Sequence, residues 1–510
     1  MKKVFDFVYH NFMAKSVLLI VITAISYGFL INNLNLWSDE LYSVLMAKDS
    51  FSDMFELLTT EDSKPPLYYV YLKAVLALFP QKYEIFGAHF GSYLTLLFAE
   101  IFTISAIKKD YGEKVSLWLL VILMLHPISL WLAFEVRTYG LSSFLLLVCL
   151  VYGLRLTRNP QNIDYVKFGF VSLASLYSHY YAAIWLMFLY ASILYILIYD
   201  KTFSKFGRKF LITTFIVAIL FLPWIFVPLN TANEISNDWY VNYEFVKFSI
   251  RYFTDPLQPD IFQSIFFIAT GFSSTVFSFI VLTGIFSTKL FSHRLKRAFV
   301  VAFITFFLSY ILLIVLSYAI RPMVTARYLK IFSLIWYFAG AIVISYLNNV
   351  KKAFIFVLIM GFSFTYLDMR TVFFDKEYKN AVDEINSYVP KNMTILALDN
   401  ANLFCEYYLP DHKCILAVGE KGEILRKPSL LKNINLYQEE TNDIVLTLSL
   451  YGSGEGECKK YNSIYRYGNT ISLCKMPKTK ANKLIKDSLD LRLNKYLGSW
   501  LMKKRLVHSC

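Results

Sequence analysis

Charge is what this sequence has least of. Of 510 residues only 17% are Asp, Glu, Lys or Arg, against 56% hydrophobic and 18% aromatic, and the mean hydropathy is +0.47. That composition excludes a soluble protein with one water-facing surface and defines an integral membrane protein. Cysteine is also sparse, with six in the chain. None has zinc-ligand spacing, which argues against a structural zinc site. Cys149, inside an apolar run, reads as a small apolar residue, whereas Cys405, Cys414, Cys458 and Cys474 gather near the end, where an oxidising compartment permits pairing. Three pairings are open, and two local pairs are the simplest. No small-residue cleavage motif follows the first apolar run, so that run is expected to be a retained helix. An ER-retention signal is missing, which with the compact size suggests a bacterial plasma (inner) membrane.

What is present is a succession of apolar segments of roughly 20 residues from Ser16 to Tyr366, after which the chain turns polar. The net charge of +14 does not imply nucleic acid. Much of it lies in short loops, Lys201 to Lys209 and Lys289 to Arg297, where positive charge sets orientation and meets anionic lipid headgroups. Lys2, Lys3 and Lys15 put the N-terminus in the cytoplasm and Asp39 outside. The mixed stretch Leu41 to Leu58 is expected to lie along the outer surface. Pro65 to Phe79 is short and carries Lys73 in its middle, so it is read as a dip; Glu84 to Ile107 then runs inward. Spans follow at 115–133, 138–156, 165–179, 181–199, 210–229, 262–287, 298–320, 328–347 and 353–367. The total is about 11 spans, and every strongly basic loop then falls inside.

The expected fold is a membrane all-α polytopic helical bundle over residues 1–370, with a small extracytoplasmic α/β domain over 371–477 and a basic amphipathic tail over 478–510. The soluble domain should hold a helix at Tyr378 to Tyr388 and strands at Thr394 to Leu398, Cys414 to Val418, Ile444 to Leu450 and Thr470 to Cys474.

Chemistry concentrates at the ends of the apolar runs. Asp39 and Glu40 are adjacent carboxylates at a membrane surface, a costly placement unless they face water or line a polar cavity. Arg137 and Arg327 each precede a tyrosine (Arg-Thr-Tyr139 and Arg-Tyr328) and each opens an apolar run. The planar guanidinium suits bidentate phosphate binding, and the competing role is snorkelling to headgroups. Lys64 before Pro65-Pro66 adds a cation at a helix start, where an anion is favoured. His179, flanked by Ser178 and Tyr180, could bind a ligand; no second His stands at metal-ligand spacing. Gly452-Ser453-Gly454 reads as a turn, and Asn392-Met393-Thr394 fits a glycosylation acceptor by pattern only.

Taken in order, Trp37-Ser38-Asp39-Glu40, Pro65-Pro66-Leu67-Tyr68-Tyr69, Glu135-Val136-Arg137-Thr138-Tyr139, Ser178-His179-Tyr180 and Ala326-Arg327-Tyr328-Leu329 resemble the GT-C glycosyltransferases of the protein-mannosyltransferase and lipid A aminoarabinose-transferase type. The resemblance implies an inverting enzyme that moves a hexose or pentose from a polyprenyl-phosphate carrier to an acceptor lipid, glycan or protein outside the cytoplasm. It makes Asp39 the base with Glu40 beside it. Lys64, Arg137 and Arg327 then fall on the donor phosphate, and Tyr139, His179, Tyr180 and Tyr328 on the substrate. Members with Lys-Pro carry a Glu before the lysine that helps hold a metal; this chain has Ser63, which leaves a divalent metal open. No nucleotide or redox cofactor is needed, because the polyprenyl phosphate departs as a stabilised anion. Two other readings compete. A transporter or flippase of lipid-linked substrates would place its charges nearer the midplane and show an internal repeat, and a ligase or polymerase acting on diphosphate-linked glycans would carry a large late outer loop.

Overall fold

The computed structural model describes residues 11–32, 34–59, 64–236, 265–320, 322 and 324–368, and in the tail 382–383, 386–387, 394–398, 401–409, 412–417, 444–449, 458–461 and 471–477. The expected helix at 378–388 lies mostly outside these residues, and the tail at 478–510 entirely so. The chain divides into two compact units, one of residues 1–34, 46–48 and 54–370, the other of residues 35–45, 49–53 and 371–510.

The helices are α1 Phe12–Ile31, α2 Ser38–Lys48, α3 Phe51–Leu57, α4 Leu67–Leu76, α5 Glu84–Phe102, α6 Glu113–Leu125, α7 Pro127–Phe134, α8 Tyr139–Leu156, α9 Asn162–Leu176, α10 Tyr181–Tyr199, α11 Arg208–Ser236, α12 Ile265–Ser287, α13 His293–Ala319, α14 Ser333–Ser345 and α15 Asn349–Asp368. Seven helical segments among the described residues are long and apolar enough to cross a membrane, and the bent pair α6–α7 makes an eighth. The expected count was about 11. The three expected spans outside that tally are 165–179, 262–287 and 353–367, and helices α9, α12 and α15 stand at those places. α4, expected as a dip and not counted as a span, has 10 residues and rises about 15 Å, half a hydrocarbon core. α9 has only 15 residues. The expected span 115–133 is broken by 62° between α6 and α7, where Pro127 has no N–H to continue the helix. His126 caps the break, its Nδ1 accepting from the Ile128 amide at 3.2 Å, with the Tyr337 hydroxyl 2.7 Å from the same nitrogen.

α14 is the axis of the first unit, with every residue from Ser333 to Ser345 buried. It packs on α6, α8, α12 and α13. Close approach to α12 needs small residues: a Cβ on Gly340 would run into the Phe277 ring, and one on Gly284 would meet Val343 and Phe299.

In the second unit five strands, β1 Thr394–Leu398, β2 Lys413–Ala417, β3 Ile444–Ser449, β4 Cys458–Tyr461 and β5 Ile471–Pro477, form one sheet of order β2-β1-β3-β5-β4. β1 is parallel to both β2 and β3, with Ile395 opposite Cys414 on one side and Leu446 on the other; β5 runs antiparallel to β3 and β4. A helix, α16 (Ala401–Tyr408), joins β1 to β2 and packs on both. β4 adds a strand to the four expected. Cys405 is disulfide-bonded.

Candidate active site

The helix ends of the first unit bring three of the motifs together through the backbone. His179 lies in the turn between α9 and α10, Arg137 in the turn before α8, and Lys64 just before α4. Thr138 Oγ1 donates to the Ser178 carbonyl at 2.7 Å, and the Leu67 amide donates to the Tyr177 carbonyl at 3.0 Å, so both neighbouring turns are tied to the His179 turn. A fourth segment, Arg327 to Ile331, is held to α8 by Ser143 Oγ, which lies 3.0 Å from the Lys330 carbonyl and 2.7 Å from the Ile331 carbonyl. Behind the Arg137 turn, α5 supplies Ser92 Oγ to the Glu135 carbonyl and His89 Nδ1 to the Phe134 carbonyl, each at 2.7 Å. These bonds satisfy backbone groups that the helix breaks would otherwise leave unmet in a buried setting.

His179 reports the charge of the place. Burial, reinforced by the Arg137 and Lys64 charges, pushes its imidazole down to about 3, so it is neutral at pH 7. Its Nδ1 accepts from the Tyr181 amide at 3.1 Å, which leaves Nε2 as the protonated nitrogen and a donor. Two fixed cations beside a neutral donor, with Arg137 only 9% exposed, make an environment suited to an anion.

Aromatic rings fence this donor. Tyr181, Tyr328 and Tyr139 stand 5.1, 6.0 and 6.1 Å from the His179 ring, centroid to centroid, and Tyr181 meets Tyr328 edge-on at 5.8 Å. The Arg327 guanidinium lies 5.2 Å over the Tyr328 ring. Tyr139 stacks on Trp131 at 5.3 Å, and the Lys330 ammonium sits 3.8 Å over Trp131. Tyr180 is half-buried directly before α10. Tyr181, Trp131 and Lys330 were not among the residues singled out from the sequence. Lys330 stands three residues after Arg327 and had a signal in its charge; Trp131 sits unmarked within an apolar run.

Asp39 and Glu40 belong to the second unit. Glu40 is fully buried and accepts from the Trp37 amide at 3.2 Å, closing the first turn of α2, whereas Asp39 is half-buried. Among the described residues no three His, Cys, Asp or Glu side chains are grouped to hold a metal ion.

No family model matches the sequence, and no curated protein matches it. Solved structures do. The crystal structure of ArnT from Cupriavidus metallidurans bound to undecaprenyl phosphate is similar at a TM-score of 0.58 with 11% identity, over 90% of this chain and 97% of that one. The apo state of the same protein covers the same shares at 11% identity and a TM-score of 0.45. At that identity the likeness shows the fold alone: a polytopic all-α membrane bundle.

Proposed function

We propose that the protein is a membrane glycosyltransferase that takes a sugar from a polyprenyl-phosphate donor and transfers it to an acceptor lipid, glycan or protein on the extracytoplasmic side of a bacterial plasma membrane. One observation carries the reading: Lys64 and Arg137 converge on a neutral, proton-donating His179 inside an aromatic fence at the helix ends. That arrangement suits a phosphate at a membrane surface and an attached sugar packed on tyrosine faces. The fold shared with a protein captured with undecaprenyl phosphate supports the same donor class. A charge cluster at helix ends rather than at mid-span favours an enzyme over a transporter.

In this reading Lys64, Arg137, Arg327 and the Nε2–H of His179 hold the donor phosphate, and Tyr139, Tyr180 and Tyr328 contact the sugar. The acceptor oxygen attacks the anomeric carbon from the face opposite the phosphate, and the bond from that carbon to the phosphate oxygen breaks. The leaving polyprenyl phosphate keeps the electron pair, its charge stabilised by the cations. The acceptor proton passes to Asp39, the base assigned from the motif at the head of α2. Glu40, already engaged by the Trp37 amide, supports the helix start. No three metal-ligating side chains are grouped among the described residues, and no step here runs through a metal.

The test is binding of undecaprenyl phosphate to the full chain in lipid nanodiscs, with undecaprenol as the uncharged control. The phosphate lipid should bind at least tenfold tighter, and the preference should fall in Arg137→Gln. Equal binding of both lipids would overturn the proposal.

A further inference from the structure

A tyrosine of the tail grips the segment that leads into the acidic helix. Tyr408, the last residue of α16, is separated from Leu36 by 372 positions, yet its hydroxyl accepts from the Leu36 amide at 2.8 Å and donates to the Leu36 carbonyl at 3.1 Å. Leu36 lies two residues before α2, in non-helical backbone, and is fully buried. Its backbone groups therefore need partners, and one hydroxyl serves both. Both residues belong to the second unit.

The hydroxyl is itself held in place. The Tyr408 ring packs on Phe404 at 5.2 Å and Tyr407 at 5.0 Å, and the Tyr408 carbonyl accepts from Asn386 Nδ2 at 3.4 Å. Phe404, Cys405 and Leu409 are fully buried, α16 packs on β1 and β2, and Cys405 is disulfide-bonded. From sheet to helix to hydroxyl, a continuous set of contacts ends on the residue three positions before Asp39.

We infer that Tyr408 is a positioning residue for the acidic pair: it fixes the backbone entering α2, and with it the direction in which Asp39 projects. The inference rests on the proposed role of Asp39. It makes the tail domain a working part of the transfer reaction instead of an appended module.

The variant is Tyr408→Phe in the full chain, which keeps the ring packing and removes only the hydroxyl. Wild type, Tyr408→Phe and Asp39→Asn are compared in nanodiscs, using whichever of a synthetic panel of polyprenyl-phosphoryl hexoses and pentoses the wild type consumes fastest. In Tyr408→Phe, kcat should fall by about ten- to a hundredfold while KM for the donor stays within about twofold, since the loss is one of orientation. Amide hydrogen exchange over residues 34–45 should accelerate, with exchange in α8 and α10 unchanged. Unchanged kcat, or unchanged exchange at 34–45, would overturn the positioning role; so would equal losses in kcat, donor binding and thermal stability, which mark a merely structural residue. If the wild type consumes no panel member, the functional reading fails, and exchange at 34–45 still decides whether the hydroxyl orders the helix.

Discussion

At the scale of single residues, the buried charge of Arg137 dominates the site. On the proposed function, replacing it with Gln should remove a charge-assisted contact to the donor phosphate, a loss of roughly 1.5 to 3 kcal/mol, or about ten- to a hundred-and-fiftyfold in affinity. Titration with undecaprenyl phosphate reads it directly, and unaltered affinity would remove Arg137 from the site. His179 leads to a pH statement. Its folded value of about 3 lies below the ordinary 6.5, so between those values the unfolded chain binds a proton that the folded chain refuses. Its contribution to stability is therefore full above 6.5 and is lost as the pH falls toward 3. Through the range of about pH 5.5 to 8.5 His179 stays neutral, so donor binding should follow only the ionisation of the lipid phosphate. A binding inflection near neutrality that vanishes in His179→Gln would contradict this. For the acid pair, Asp39→Asn cannot accept a proton and should slow transfer by about a hundredfold or more while leaving donor binding intact. Transfer assays of Asp39→Asn beside Glu40→Gln distinguish the base from the helix-capping neighbour.

At the scale of elements, the sites where small residues admit a neighbouring helix are the least tolerant. Gly340→Leu would drive a side chain into the Phe277 ring between α14 and α12, an overpacking cost of about 1 to 3 kcal/mol that should appear as a lower melting temperature in detergent. The same scale shows what the sequence made legible. The short α4 was readable because its apolar run is short and interrupted by Lys73, and α10 because its apolar run is bounded on both sides by polar residues. The bend at His126-Pro127 was hidden inside a run whose apolar character never changes; only Pro127, at the first position of α7, signalled it. β4 escaped because Cys-Lys-Lys-Tyr has no apolar alternation, as suits an edge strand whose lysines discourage pairing with other chains. The cations were visible as charges at the ends of apolar runs, but their meeting at His179 depends on hydrogen bonds such as Thr138 to Ser178, between residues 40 positions apart. The grip of Tyr408 on Leu36 had no local signal at all.

At the scale of the whole molecule, the orientation in the membrane follows from two ends of the same helices. α8 starts next to Arg137 and finishes with Arg155, which pairs with Asp110 at 2.6 Å; Arg294 donates to the Asp110 carbonyl at 2.9 Å. α10 starts next to His179 and finishes before Asp200, which Arg297 contacts at 2.8 Å. α10, with 19 residues, rises about 28 Å, close to the thickness of a hydrocarbon core, so the phosphate-suited cluster and the arginine-rich end stand at opposite surfaces. Short loops with excess Lys and Arg stay in the cytoplasm, and the Lys289 to Arg297 loop lies at the arginine-rich end. By that rule the His179 turn is expected to face outward, where the proposed function would use a lipid-linked sugar donor. The disulfide at Cys405 is consistent with an outward tail, and the free Cys149 sits buried within α8. Single cysteines at Lys296 and Lys391 test the assignment in intact cells with a thiol probe that cannot cross the membrane. Labelling should occur at position 391 and, at 296, only after the cells are opened; the reverse pattern would turn the molecule over and place the cluster in the cytoplasm, away from any extracytoplasmic acceptor.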